Sequence, residues 1–415
     1  MRKRASRFTS RFVVTAIAAA IAGYAAPAAA RDLPFERAPV LSAATLLPER
    51  MLAGPNFEVN DKVVSDGFMY MYTIDSRWGE LEATSTPLLA QYLRELDAVA
   101  RFDALKSTKE FSGAMRAAAG KVAEGAGSLV RDPIGSVSGA VSGVGALFGR
   151  AHEAIISGGV HGAQEDSALA NLAGYSKVKR EYAYEFGVDV YSRNPILQEH
   201  LDAVARAGFV GDITARTALA AVSGGAGVAI SVAGNTQTLN EALRDLPPLE
   251  LRKRNRDALE AIEIDTELAD LFIANEVFTP REQTVLVEAL RSMAGTRNRD
   301  AFIKQAILTS DADMAYFRHR QAQMYADYHR ATSIVRFVAV GQVALGQRGD
   351  GVLVFCAPLD ALYWTPRMAE WLQVFESQLA QAGEVKGKEI VLGGALSPMA
   401  RKALTMRGWT VQSAR

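Results

Sequence analysis

The sequence predicts a mainly α protein with β elements, an α+β fold, on three observations. Apolar residues alternate with period two at 68–74, and near the other end two apolar runs, Phe337–Leu345 and Val352–Cys356, flank a turn. Between those stretches, up to residue 332, they recur mostly at helical spacing behind N-cap residues, and after residue 365 helix and strand signals alternate. This pattern divides the chain into a leader (1–30), a segment of extended arm, β-hairpin and helices (31–124), a glycine-rich segment of low charge (125–170), a mainly helical domain (171–332) and a small C-terminal α/β sheet unit (333–415).

Residues Met1 to Arg11 carry five basic side chains and no acidic one, and an apolar run from Phe12 to Ala26 follows. With Ala28, Ala29 and Ala30 as a small-x-small cleavage pattern, this order is that of a secretory signal peptide cut after Ala30. The apolar run falls short of the roughly 20 residues that a spanning helix needs. A periplasmic or secreted product is the expectation. Removal of the leader would leave 41 basic against 46 acidic residues, a net charge of −5. That balance disfavours a nucleic-acid partner, since phosphate binding calls for a surplus of Lys and Arg. Cys356 is the sole cysteine, so no internal disulfide can form and the fold rests on burial.

Residues 31–60 contain proline and lack periodicity, which predicts an extended surface arm. Phe68, Tyr70, Tyr72 and Ile74 alternate with Met69, Met71 and Thr73, and Ser76 to Gly79 supplies turn residues before Glu80 to Thr84, so a β-hairpin is expected. Pro87 opens a helix whose Leu88, Leu89, Tyr92, Leu96 and Val99 would cover one face of that hairpin. Gly135, Gly139 and Gly143 form a tandem GxxxG within the charge-free run 133–149. A second charge-free run, 217–240, is also rich in Ala, Gly and Ser. These two runs are the candidates for peripheral membrane contact, although tight packing in a soluble body suits their few large apolar residues better.

Tyr182, Tyr184, Phe186, Val188 and Val190 suggest a strand. Asn194-Pro195 then starts a helix that Gly208 is expected to stop. Thr279-Pro280 with Glu282 spells a capping box. Asp311 caps a longer helix to about Thr332, whose Met314, Phe317, Gln321, Met324 and Tyr328 would share one face. Residues 242–332 therefore read as a helical bundle. In the C-terminal unit, the apolar run Phe337–Leu345, a turn at Gln347–Gly351 and Val352–Cys356 predict a second hairpin. Thr365-Pro366 and Ser397-Pro398 cap two helices that alternate with strands at Glu389–Gly393 and Trp409–Gln412, which implies a partly parallel sheet.

Enzyme signatures are largely missing. The nucleophile elbow GxSxG and the Walker A pattern are absent, and Gly143, Gly145 and Gly149 make GxGxxxG rather than the dinucleotide fingerprint. Tyr175 and Lys179 form a YxxxK pair without that fingerprint. The five histidines show no metal-ligand spacing; His319 and His329 lie about 15 Å apart along one helix at 1.5 Å per residue and read as surface or helix-edge residues. Asp311 and Asp313 lack the glycine and glutamate of a calcium loop. Arg348-Gly349-Asp350 is explained by turn chemistry, and Cys356 by burial in a strand. No metal and no cofactor are implied.

One positional argument remains. Ligands of βαβ sheets settle beyond the carboxyl ends of the strands, against helix N-termini. That edge collects Asp360, Tyr363, Gly393, Gly394 and Ser397 as candidate ligand-binding residues. The sequence thus supports an exported, non-enzymatic cell-envelope protein in a binding or structural accessory role, partnered by an unidentified envelope protein or a small ligand. A membrane-interacting protein and a periplasmic enzyme with its site in the C-terminal unit are the two other readings.

Overall fold

The computed structural model describes residues 33–114, 116, 163–211, 213–223, 237–381 and 385–414, with side chains from 174 onward in the second long stretch. The leader and the glycine run 133–149 lie outside the described residues, as does most of 217–240. The fold is α+β.

The N-terminal sheet is antiparallel. Its strands are β1 (Val40–Ser42), β2 (Ala53–Gly54), β3 (Phe57–Val59), β4 (Lys62–Ser65), β5 (Tyr70–Ser76) and β6 (Gly79–Ala83), in the order β1-β4-β5-β3-β2 with β6 also on β5. The expected β5–β6 hairpin is present. The expected arm is shorter than predicted: residues 40–59 are drawn into the sheet, and the helix α1 (Ala43–Leu46) and a 3-10 turn at Glu49–Met51 lie between strands. Strands of two to four residues carry too little alternation to show in sequence. The extended part is 33–39.

Helix α2 (Thr86–Lys106) begins at Ser85, whose hydroxyl accepts the Leu88 N–H at 3.3 Å, and buries Leu89, Tyr92, Leu96 and Val99 as the stripe requires. It packs with α3 (Ala163–Phe186), α4 (Pro195–Gly211) and α5 (Ala215–Ser223) in one core shared with the N-terminal sheet. Here the strand expected at 182–190 is replaced by helix as far as Phe186 and by a loop beyond it. Tyr182 and Phe186 are one turn apart, and their rings stack with centroids 6.2 Å apart. Gly187 then ends α3 at φ +71°, where the N–H groups of Gly187 and Val188 reach the carbonyls of Tyr184 and Ala183 in a Schellman closure.

Gly208 does not stop α4, which runs on to Gly211. A Cβ at Gly208 would lie 2.6 Å from the Tyr182 hydroxyl oxygen, and that ring is pinned by its bond to the Ile213 carbonyl at 2.9 Å. The glycine is there for close approach of two helices.

Helices α6 (Gln237–Asp245), α7 (Pro248–Glu260), α8 (Thr266–Ile273), α9 (Pro280–Ser292), α10 (Asp300–Ile307) and α11 (Ala312–Ala331) follow. The capping box at Thr279 is complete, and Asp311 caps α11. The buried side of α11 differs from the expected one, since Ala315, His319, Gln321, Ala322, Tyr325 and Ala326 are enclosed whereas Met314 and Phe317 are only half-buried. The helix has two partners: it packs on α9 and also on the C-terminal sheet.

That sheet holds β7 (Ile334–Val340), β8 (Val343–Arg348), β9 (Val352–Ala357), then β11 (Gly387–Leu392) and β13 (Trp409–Ser413), in the order β13-β11-β9-β8-β7. The short β10 (Ala361–Leu362) pairs with β12 (Ala395–Leu396) beside it. The single run expected at Phe337–Leu345 is itself a hairpin, because Gly341 at φ +58° turns the chain in two residues. The β8–β9 hairpin is as expected, as are the parallel pairings of β11 with β9 and β13. Helices α12 (Pro366–Gln381) and α13 (Pro398–Met406) supply the crossovers. One face of the sheet buries Leu353, Ile390 and Leu392 against Leu372 and Phe375. The other buries Val354 and Cys356 against Tyr325 and its neighbours.

The Gly208–Tyr182 approach carries a prediction. Gly208→Val should destabilise the protein by about 1 to 3 kcal/mol, the range for overpacking a filled core, as read by denaturant unfolding. Unchanged or raised stability would mean that the two helices are loosely packed there.

Candidate functional site

The five residues singled out in sequence are brought together, and each already has an intramolecular partner. Burial pushes the Asp360 carboxyl up to about 6, opposed by the backbone N–H groups of Tyr70 at 3.0 Å and Thr86 at 3.1 Å, which it accepts. Tyr363 donates its backbone N–H to Gly67, and Ala361 donates to Phe68. A clamp thus joins the N-terminal sheet and the start of α2 to the loop after β9. Gly393 donates to the Ala357 carbonyl, and Gly394 lies so close to Asp360 that any Cβ would overlap its carbonyl oxygen.

Ser397 caps α13, accepting the Ala400 N–H at 3.0 Å as its position before Pro398 requires. Its hydroxyl also donates to the carboxylate of Glu36 at 2.5 Å. The same carboxylate accepts the Trp364 N–H at 2.7 Å, and the Glu36 N–H returns a bond to the Trp364 carbonyl. An acid from the extended arm therefore sits at the helix terminus where the sheet edge offers a place for an anion.

Beside this edge opens a cleft continuous with solvent. Phe68, Met69 and Pro87 form one wall, Met314 and Phe317 of α11 a second, and Phe355, Leu362, Met368 and Trp371 the third. The largely apolar lining is that of a small-molecule site. Its polar groups include Asp66, Asp313, Arg320 and Arg318, whose guanidinium rests 5.7 Å from the Phe317 ring centroid. It donates to the Gln321 side-chain oxygen at 3.0 Å, while Nε has no hydrogen-bond partner and no carboxylate forms an ion pair with it among the described residues. Burial pushes it down to about 10. Arg367, on the rim, is different: it stands 3.8 Å from Asp66 and over the Phe68 ring.

A polar chamber adjoins the cleft at Asp313, Tyr316 and Arg320, between α2, the 187–194 loop, the start of α9 and α11. Two ion pairs span it. Arg193 grips Glu282 through two bonds of 2.5 and 2.9 Å, and Arg281 approaches Asp189 at 3.7 Å. Glu95 is fully enclosed and pushed up to about 7 by burial, despite bonds from Gln91 at 2.9 Å and Asn194 at 3.0 Å. His319, expected at the surface, is buried, because α11 turns this face toward α9. Desolvation first, and then the neighbouring Arg320, Arg281 and Arg193, drive its imidazole down to about 3, so it is neutral.

No family model, curated protein or solved structure matches the chain. The site must therefore be read from its own geometry. Among the described residues no cluster of three or more His, Cys, Asp or Glu is placed to hold a metal ion, and no helix is long and apolar enough to cross a membrane. The YxxxK pair has a structural role: Tyr175 and Lys179 both meet the Asp202 carboxylate at 2.6 Å, fastening α3 to α4. Cys356 is a buried free thiol. Arg348 of the tripeptide pairs with Asp350 and Glu389.

Neither Glu95 nor Arg318 stands out in the sequence. Glu95 sits among polar neighbours on α2 that resemble a solvated face, and three consecutive side chains, Arg318, His319 and Arg320, point about 100° apart on a helix. The one legible signal was that α11 carries bulky apolar residues on more than one face.

Because the folded state holds the Glu95 proton to about pH 7 whereas a free carboxyl loses it near 4.5, this group makes stability fall as pH rises between those values. Glu95→Gln mimics the protonated form. It should gain on the wild type as pH is raised from 5 to 8, by at most about 3 kcal/mol at some 1.4 kcal/mol per unit. Parallel pH profiles of the two unfolding free energies would contradict the assignment.

Proposed function

We propose that this chain is an exported, non-enzymatic cell-envelope binding protein whose ligand is an anionic amphiphile, an apolar chain ending in a carboxylate or phosphate. The observation that carries the reading is Arg318: a half-buried guanidinium on a mainly apolar cleft, with no ion pair among the described residues and its Nε buried without a hydrogen-bond partner. A buried charge is costly unless paired. An acidic head group at Arg318 would relieve that cost with charge-assisted hydrogen bonds. The alkyl chain would lie along Phe317, Phe355 and Trp371, where only dispersion and desolvation are on offer. Export is supported by the charge, apolar and small-residue order of positions 1–30. The closed clamp at Asp360 and the occupied cap at Ser397 support a binding role for the cleft beside them rather than for the strand edge itself.

The test is calorimetric titration of the mature protein with dodecanoate and with dodecanol. Dodecanoate should bind at least ten-fold more tightly than the alcohol. In Arg318→Met that preference should vanish, while the ligand-free variant melts higher than the wild type because the buried charge is gone. Equal binding of acid and alcohol by the wild type, or an unaltered preference in Arg318→Met, would overturn the proposal.

A further inference from the structure

The polar chamber has unspent hydrogen-bonding capacity, and all of it favours one sign of charge. Its acids are satisfied within the chain: Glu282 by Arg193, Asp189 by Arg281, Glu95 by Gln91 and Asn194, and Asp313 by the Thr84 hydroxyl at 2.9 Å. Its donors are not. Arg320 makes no ion pair among the described residues and its Nε has no hydrogen-bond partner. Arg94, which lines the same chamber, likewise has no ion pair among the described residues. His319 is nine-tenths buried at 9% exposure, lines the chamber, and its Nδ1 makes no well-formed hydrogen bond; only the Ala315 carbonyl one turn back is near it. The Tyr191 hydroxyl, also on the wall, is without a partner. Buried donors left open in this way call for an acceptor or a water.

We propose that this chamber is a second binding site, adjoining the apolar cleft at Arg320, for a small multiply charged oxyanion of the phosphate class, held between Arg320, Arg94 and His319. The guanidiniums supply charge and forked donors suited to a tetrahedral oxyanion. The imidazole supplies a single directed donor from its Nδ1–H tautomer. The paired acids keep Arg193 and Arg281 fixed, so that both add positive potential without competing for the ligand. Neutralisation of the chamber wall would also stiffen the junction of α2, α9 and α11. This site shares Arg320 with the cleft wall but needs neither an apolar chain nor Arg318, and His319, which lines only the chamber of the two, separates it from the amphiphile reading.

The probes are inorganic phosphate, succinate and chloride at matched ionic strength, added to the mature protein at pH 7.5. Phosphate should raise the melting temperature saturably, chloride should not, and the response in Arg320→Gln should require at least ten-fold more phosphate. In histidine NMR, resonances assigned to His319 by their loss in His319→Gln should shift and saturate with phosphate in the wild type, while those of His200 and His329 stay in place. That titration does not depend on either variant binding or folding well. A succinate response equal to that of phosphate, with the same dependence on Arg320, still supports an oxyanion site and widens its ligand to dicarboxylates. Identical responses to phosphate and chloride, an unchanged midpoint in Arg320→Gln, or static His319 resonances would overturn the proposal.

Discussion

The carboxylate of Asp360 holds two backbone amides that belong to another part of the chain, those of Tyr70 and Thr86. Tyr70 is buried, so breaking its bond would leave a donor orphaned, at roughly 1 to 3 kcal/mol, and the half-buried Thr86 amide adds a smaller cost. The loop after β9 is thereby tied to the β5 edge and to the first turn of α2. Phe68, Met69 and Pro87 then stand opposite Leu362, Met368 and Trp371, and the apolar cleft is the space enclosed between them. The absence of a side chain at Gly394 belongs to the same arrangement, since Asp360 could not approach otherwise. Cleft geometry thus follows from one clamp and one glycine.

Charge is distributed unevenly across this framework. Around the polar chamber the acids are matched with arginines, amides or a hydroxyl, whereas Arg318, one side chain along α11 from His319, lines the mainly apolar cleft and forms no ion pair among the described residues. A protein that rests on burial alone, with its sole cysteine as a free thiol, has little stability to spare for such a mismatch. Function is the economical explanation of a local rule broken in this way.

How much of this was legible in sequence depended on the range of the interaction concerned. Helix starts at Asn194, Thr279, Asp311, Thr365 and Ser397 were readable because capping involves residues two or three apart, and each cap is formed. The strand and helix alternation after residue 365 was readable for the same reason. Tyr182 and Phe186 fit a strand as well as a helix because a spacing of four contains a spacing of two, and Gly187 settles the choice by its αL conformation. Residues 40–59 were missed because strands this short are made by their partners. The candidate edge was located from topology, yet its filling by Glu36 and by the clamp depends on contacts 290 or more residues apart for Tyr70 and Glu36. Arg318 was invisible for a stronger reason: lacking a partner is a property of the folded surroundings and has no sequence pattern.

The most direct test of the account is a crystal structure of the mature protein with dodecanoate bound. The account predicts the carboxylate within hydrogen-bond distance of the Arg318 guanidinium, with the alkyl chain against Phe317 and Trp371 and the Asp360 clamp unchanged. A carboxylate bound elsewhere, or a cleft that stays empty at saturating dodecanoate, would contradict it.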